Sequence, residues 1–151
     1  MLIREKKCIV QINVSQGGII MIKSERSKLG KRYRILGKTH ELATRKDLES
    51  QGWIVCRWDK QVNLQTNQLE NSKPKFNPYT KTLMMSQSGF PDFIIFKSVC
   101  VGEVLIRLVE SKMTGKLDKI EKQKIKWLYD NLNISTLIAS KGTNKGEITY
   151  G

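Results

Sequence analysis

Glu110 and Lys112 stand two residues apart at the end of an apolar run, Ile106 to Met113, that reads IRLVESKM. Strand side chains alternate between faces, so Ile106, Leu108, Glu110 and Lys112 share one face and Arg107, Val109 and Ser111 the other. On this reading Ser111 is only the spacer that turns the acid and the amine the same way. An acid-x-Lys tripeptide arises about twice by chance in a chain of this composition, and it occurs twice here, the other running from Glu5 to Lys7. Context singles out the second copy. Pro91-Asp92 opens the preceding β-rich run, where a proline is tolerated, and a Pro-Asp dipeptide is expected in only about one such chain in ten. If the two runs pair, Asp92 and Glu110 converge on a volume the size of a metal ion, with Lys112 beside them. Two carboxylates suit Mg²⁺, a hard cation that takes oxygen ligands and keeps several waters. Such an ion lowers the pKa of a bound water and stabilises charge on a phosphoryl oxygen. A lysine adds a cation that orients the attacking water or the phosphate.

The elements that would position these residues follow from the pattern on either side. FPDFIIF and EVLIRLVESKM read as strands joined by KSVCVG, a connection short enough for an antiparallel hairpin. Upstream, THELATRKDLESQG predicts a helix over 40–51, with Thr39 as N-cap, Glu41 in the first turn and Gly52 ending it. Its apolar face is thin, and Glu41 lies within about 20° of Leu48 on the helical wheel, on the side that should meet the core. WIVCRW reads as a strand. Lys60 to Met85 is rich in Asn, Gln, Lys and Pro, shows no clear period, and reads as a long functional or mobile loop. KLDKIEKQKIKWLYDNL is helical, with Leu117, Ile120, Trp127, Leu128 and Leu132 on one arc and Glu121 and Lys124 intruding on it. ISTLIAS is a further strand and GEITY an edge strand. The order predicts an α/β fold, a central sheet flanked by helices.

At 151 residues and 39% hydrophobic the chain suffices for one core. Its formal charge of +13 favours polyanions, nucleic acid first. KSERSKLGKRYR is the densest positive stretch, with Tyr33 between Arg32 and Arg34 and next to Lys31, a mixture that can hold phosphates and stack on a base. KPKFNPYTK, with Lys73 and Lys75 beside Phe76 and Tyr79, has the same character, and Lys116 lies just past the ESK tripeptide. Residues 1–35 form a basic extension, read as a β-hairpin around Gln16-Gly17-Gly18 followed by an arm, ahead of a domain over 36–151. Cys8, Cys56 and Cys100 are odd in number and far apart, and with a single histidine they support neither a disulfide framework nor a zinc cluster. No stretch approaches a membrane span of about 20 apolar residues, and CIVQINV is too poorly flanked for a secretory signal. An intracellular protein, cytoplasmic or nucleoid-associated, is the expectation.

Taken together, PD at Pro91-Asp92 and ESK over Glu110 to Lys112 resemble the signature of the PD-(D/E)XK nuclease superfamily. The resemblance covers about Gly37 to Ile138, two-thirds of the chain. It is closest to the branch of archaeal Holliday junction resolvases and virus-type replication-repair nucleases. GKTHELATRKDLESQGWIVCRW looks like that family's opening helix and first strand, and SGFPDFIIF like the strand bearing the metal-binding aspartate. The resemblance implies a restriction-endonuclease-like core with a mixed sheet. It implies Mg²⁺ as cofactor, with Mn²⁺ as substitute, held by Asp92 and Glu110 with Glu41 in support, and Lys112 as the catalytic lysine. EKQKIKWL is similar to the glutamine-bearing helix that follows the signature in that branch, which assigns Gln123 a positioning role. It further implies an endonuclease acting on DNA, structure-selective and serving repair or recombination, and a homodimer that pairs two sites. The Lys60 to Met85 segment and the first 35 residues have no counterpart in the family core.

Other chemistries are weaker. His40 beside Glu41 suggests an acid-base pair, but helix neighbours point about 100° apart, and a solvated or capping histidine fits as well. Ser86, Ser88 and Ser111 have no histidine at motif spacing, and Gly17-Gly18 lacks the Lys and Ser of a phosphate loop. The rival reading is a nucleic-acid-binding module of the same fold whose carboxylates are structural.

Overall fold

The computed structural model describes residues 23–79, 81–84 and 89–151. The N-terminal hairpin expected around Gln16-Gly17-Gly18 and the residue Cys8 lie outside that range. The chain divides into two compact units, residues 1–34 and 35–151.

The first described element is α1, Lys23–Ser50, one continuous helix of 28 residues. It begins well before residue 40, because nothing in KSERSKLGKRYRILGK breaks a helix except two tolerated glycines. Thr39 is therefore interior and caps nothing: its hydroxyl donates back to the Ile35 carbonyl at 2.9 Å. The C-terminus fell where glycine predicted it. Gly52 adopts φ +83, its amide donates to the Glu49 carbonyl at 3.0 Å and that of Trp53 to the Leu48 carbonyl at 3.1 Å. This is the paired 6→1 and 5→2 closure of a Schellman motif. Trp53 packs on the core cluster that contains Leu48, the apolar contact that accompanies that closure. Thr44 and Leu48 are buried, whereas residues 30–39 are all exposed. Among the described residues of the helix, the buried ones, Thr44 and Leu48, lie in its second half.

Five strands form the main sheet: β1 (Ile54–Arg57), β6 (Phe93–Cys100), β7 (Glu103–Ser111), β8 (Thr136–Lys141) and β9 (Ile148–Tyr150), in the order β1-β6-β7-β8-β9. All neighbours are antiparallel except β7 and β8, which are parallel and joined through α2 (Lys119–Leu132). A parallel pair needs such a crossover. The protein is thus mixed α/β with a mixed sheet and two helices.

Residues 60–84 are not the loop that their composition suggested. They hold two hairpins, β2 (Lys60–Asn63) with β3 (Gln68–Asn71), and β4 (Lys75–Asn77) with β5 (Thr82–Met84). In the first, Asn63 Oδ1 accepts from the amides of Gln65 and Thr66, and Asn67 takes φ +54, turn chemistry that Asn supplies. Buried Val62 anchors this hairpin under the sheet.

The sheet is buried on both faces near its centre, and alternation decides which residue goes where. Phe93 and Ile95 of β6 and Val109 of β7 join Leu48, Val55 and Ala139 in one cluster. Leu108 joins Val62 and Leu128 in the other, with Trp58, Ile94 and Trp127 against it. The apolar arc expected of α2 faces inward in part. Leu128 is buried and Glu121 and Lys124 are partly buried, while Ile120 is 57% exposed. The two polar residues that intruded on the apolar arc are on its inner side. Lys124 Nζ lies 5.7 Å from the centre of the Phe90 ring, a cation-π contact that lets a lysine face inward.

Candidate active site

The strand register brings Asp92, Glu110 and Lys112 to one end of β6 and β7. The last paired residues are Phe93 and Val109, so one step further along the antiparallel ladder sets Asp92 opposite Glu110. Residues directly opposed project to the same side with Cβ atoms about 5 Å apart.

Asp92 is held from two directions. Its carbonyl accepts from the Trp58 amide at 3.0 Å, and its Oδ2 accepts from the Ser111 amide at 3.0 Å. The approach to it is tight. Gly89 donates to the Trp58 carbonyl and Phe90 to the Lys60 carbonyl, and a Cβ on Gly89 would stand 1.8 Å from that Lys60 oxygen. Only glycine fits there. Buried Pro91 follows, two residues before β6.

Glu110 is buried, with 5% of its surface exposed. Its Oε1 lies 3.2 Å from Lys112 Nζ, while its Oε2 is buried with no hydrogen-bond partner. Burial first and the Asp92 charge second push its carboxyl up to about 8, against which the Lys112 charge and hydrogen bond act. Glu41, on the inner face of α1, is also raised by burial and then by Asp92, with Arg57 and Lys38 opposing. Asp92 is thus the carboxylate that presses on both of the others.

Lys112 has a second acid, which the sequence reading missed. Its Nζ donates to Glu121 Oε1 at 2.6 Å. Burial pulls the amine down, but the hydrogen bond to Glu121 and the Glu110 and Glu121 charges hold it above its ordinary value. Glu121 is also the N3 residue of a capping box. Its amide donates to Asp118 Oδ1 at 2.8 Å, and its own Oε2 accepts from the Asp118 amide at 3.0 Å. The Asp-x-x-Glu spacing of DKIE carried that signal. One carboxylate therefore fastens the start of α2 and the tip of the ESK tripeptide.

Ser111 is more than a spacer. Besides the amide that holds Asp92, its hydroxyl meets that of Thr44 at 3.3 Å, linking β7 to α1. His40 is neither solvated nor a cap, since its Nε2 lies 3.2 Å from the Ala139 carbonyl.

Gln123 does not join the site. It is exposed, and at 100° per residue it points about 200° round α2 from Glu121, whose side chain does reach Lys112. Among the candidate nucleic-acid ligands, Lys31, Arg32, Tyr33 and Arg34 are exposed on α1. Lys73 is exposed at 3.9 Å from Glu70, and Lys116 is exposed in the turn after Lys112. Lys75 starts β4, and its side chain lies outside the described part of the structure.

A divalent cation suits part of this constellation. An unpartnered buried carboxylate oxygen beside a second carboxylate is a costly arrangement that a hard cation relieves. Among the described residues, no group of three or more His, Cys, Asp and Glu side chains is arranged to hold a metal ion. The fit is with Asp92 and Glu110 as a two-carboxylate pair, and Glu41 enters through Asp92.

No protein-family model matches the chain, and no curated protein or solved structure matches it either. Among the described residues, no helix is long and apolar enough to cross a membrane.

Proposed function

We propose that this protein is a metal-dependent endonuclease that hydrolyses DNA phosphodiesters, with branched DNA as the preferred substrate class. The observation that carries the reading is Asp92, one residue beyond the last β6–β7 pair and acting by its charge on Glu110, with Lys112 bound to Glu110 and the second Glu110 oxygen buried without a partner.

Asp92 and Glu110 would hold Mg²⁺, or Mn²⁺ in its place, which supplies a water of lowered pKa and a charge beside the phosphoryl oxygens. Ser111 fixes the Asp92 carboxylate through its amide, and β7 fixes Glu110 by burial. Glu121 keeps Lys112 Nζ beside the acid pair, where the cation can donate to a phosphate oxygen or to the attacking water. Glu41, whose carboxyl feels the Asp92 charge, would support the metal or its water. The reaction adds water across the P–O bond: the nucleophile loses a proton, the phosphorus–oxygen bond to the leaving strand breaks, and the departing oxygen gains a proton.

The test is cleavage of branched, single-stranded and duplex DNA with Mg²⁺, comparing wild type with Asp92→Ala. Cutting that requires both Mg²⁺ and Asp92 supports the reading. No Mg²⁺-dependent cutting, or equal cutting by the variant, rejects it. The second reading, a non-catalytic nucleic-acid-binding module, is favoured by one observation: Lys112 already pairs with both Glu110 and Glu121. It predicts salt-sensitive DNA binding with no hydrolysis, and a Glu110→Ala protein that still binds.

A further inference from the structure

A groove of about 390 Å³ runs along α2 and the start of β8, lined by Leu117, Lys122, Ile125, Lys126, Tyr129 and Thr136. At Leu117 and Lys122 it meets a second hollow of about 320 Å³, which Gly115 and Lys116 bound. The Gly115 amide donates to the Lys112 carbonyl at 2.8 Å, so the near end of this path begins one turn from the candidate site.

The lining has a distinct chemistry. Lys122, Lys126 and Tyr129 follow at i, i+4 and i+7, which puts them in one stripe on the helix surface. Lys116 extends the row of cations toward Lys112. Of the acids nearby, Asp130 pairs with Lys126 at 2.9 Å and offsets part of its charge, while Glu121 is turned to Lys112 and leaves Lys122 and Lys116 to the groove. The Tyr129 ring is 57% exposed.

Cations in a row and an open aromatic face match a polyanion that carries flat groups. A nucleic-acid single strand has these features. A duplex hides its base faces, and an acidic peptide offers nothing to stack. We propose that this groove binds an unpaired strand of the DNA whose phosphodiester reaches Asp92, Glu110 and Lys112, and so selects substrates with single-stranded character next to the cut. The proposal rests on the nuclease reading for the site, though not for the groove's binding.

The full chain is titrated in EDTA against a fluorescent oligothymidylate of about 15 nucleotides and a duplex of equal length, read by anisotropy at several salt concentrations. Polyglutamate serves as competitor. In Lys122→Gln/Lys126→Gln the slope of log affinity against log salt for the single strand should shrink by about 1.4, two contacts at about 0.7 each. Tyr129→Ala should weaken single-strand binding about 5- to 100-fold with the slope unchanged and duplex binding little affected, and Tyr129→Trp should restore it. Wild-type binding by both variants, equal losses for strand and duplex, or polyglutamate competing as well as the oligonucleotide would overturn it. No divalent ion is present, so the result is independent of cutting. Unaltered single-strand binding by the variants, in a protein that cleaves, rejects the groove alone. Groove binding in a protein that never cleaves rejects the nuclease alone.

Discussion

Glu110 is the residue on which pH and metal act together. Its carboxyl is pushed up to about 8 in the folded protein by burial and by Asp92, against about 4.3 in an unfolded chain. Between those values the folded state holds a proton that the unfolded state has released. The contribution is therefore fully present below the unfolded pKa and is lost as pH rises through about 8. At about 1.4 kcal/mol per unit this amounts to a few kcal/mol. Urea midpoints of the metal-free protein should fall from pH 5 to pH 9, and Glu110→Gln should flatten that fall. Mg²⁺ should raise the midpoint more at pH 8.5 than at pH 6, because binding requires the ionised acid. A midpoint that rises with pH in the metal-free protein contradicts the assignment. The pairing of Asp92 with Glu110 was legible from strand period and a Pro-Asp corner. The role of Glu121 was not: it read only as an acid intruding on the apolar arc of α2, and its role depends on the capping box that holds it toward Lys112.

At the scale of elements, the corner before β6 is fixed by backbone. Gly89 has no room for a side chain beside Lys60, and the same two segments exchange the hydrogen bonds that lead into Asp92. Gly89→Ala should destabilise the fold by about 1–3 kcal/mol, the range for forced overpacking, and should lower cleavage further by displacing Asp92. Urea unfolding and single-turnover cutting read the two effects separately, and an unchanged midpoint would contradict the close approach. Strands β6, β7 and β8 were readable because each is a run of alternating or continuous apolar residues. The strands β2 to β5 were not, since three or four residues dominated by Asn, Gln and Lys carry no period, and pairing is decided by an asparagine turn and one buried valine. On α2 the arc with Glu121 and Lys124 was legible, but the exposure of Ile120 was not, because a glutamate in an ion pair and a lysine over an aromatic ring take inner positions beside Leu128.

For the whole molecule, +13 of formal charge makes sequence-independent attraction to nucleic acid the expected background to any cutting. Arg32 and Arg34 are exposed on the opening half of α1, where they have the freedom to meet phosphates. Arg32→Gln/Arg34→Gln should lower the salt slope for duplex DNA by about 1.8, two contacts at about 0.9 each, without moving the urea midpoint. A slope equal to wild type would remove this segment from the duplex-binding surface. The α/β class was legible from the order of elements, while the length of α1 was not, because a basic, polar sequence reads equally as an arm or as a helix.

The Ser111 amide and hydroxyl have a consequence for how the tripeptide is written. Its middle position is a scaffold position, since the amide carries Asp92 and the side chain must fit against Thr44. Proline is excluded there because it has no N–H to give. A bulky residue would wedge α1 away from β7, whereas alanine or threonine keeps the backbone donor and adds little volume. Sequence patterns that leave the residue between acid and lysine unspecified therefore admit chains that have both charges and no means of holding the aspartate opposite them.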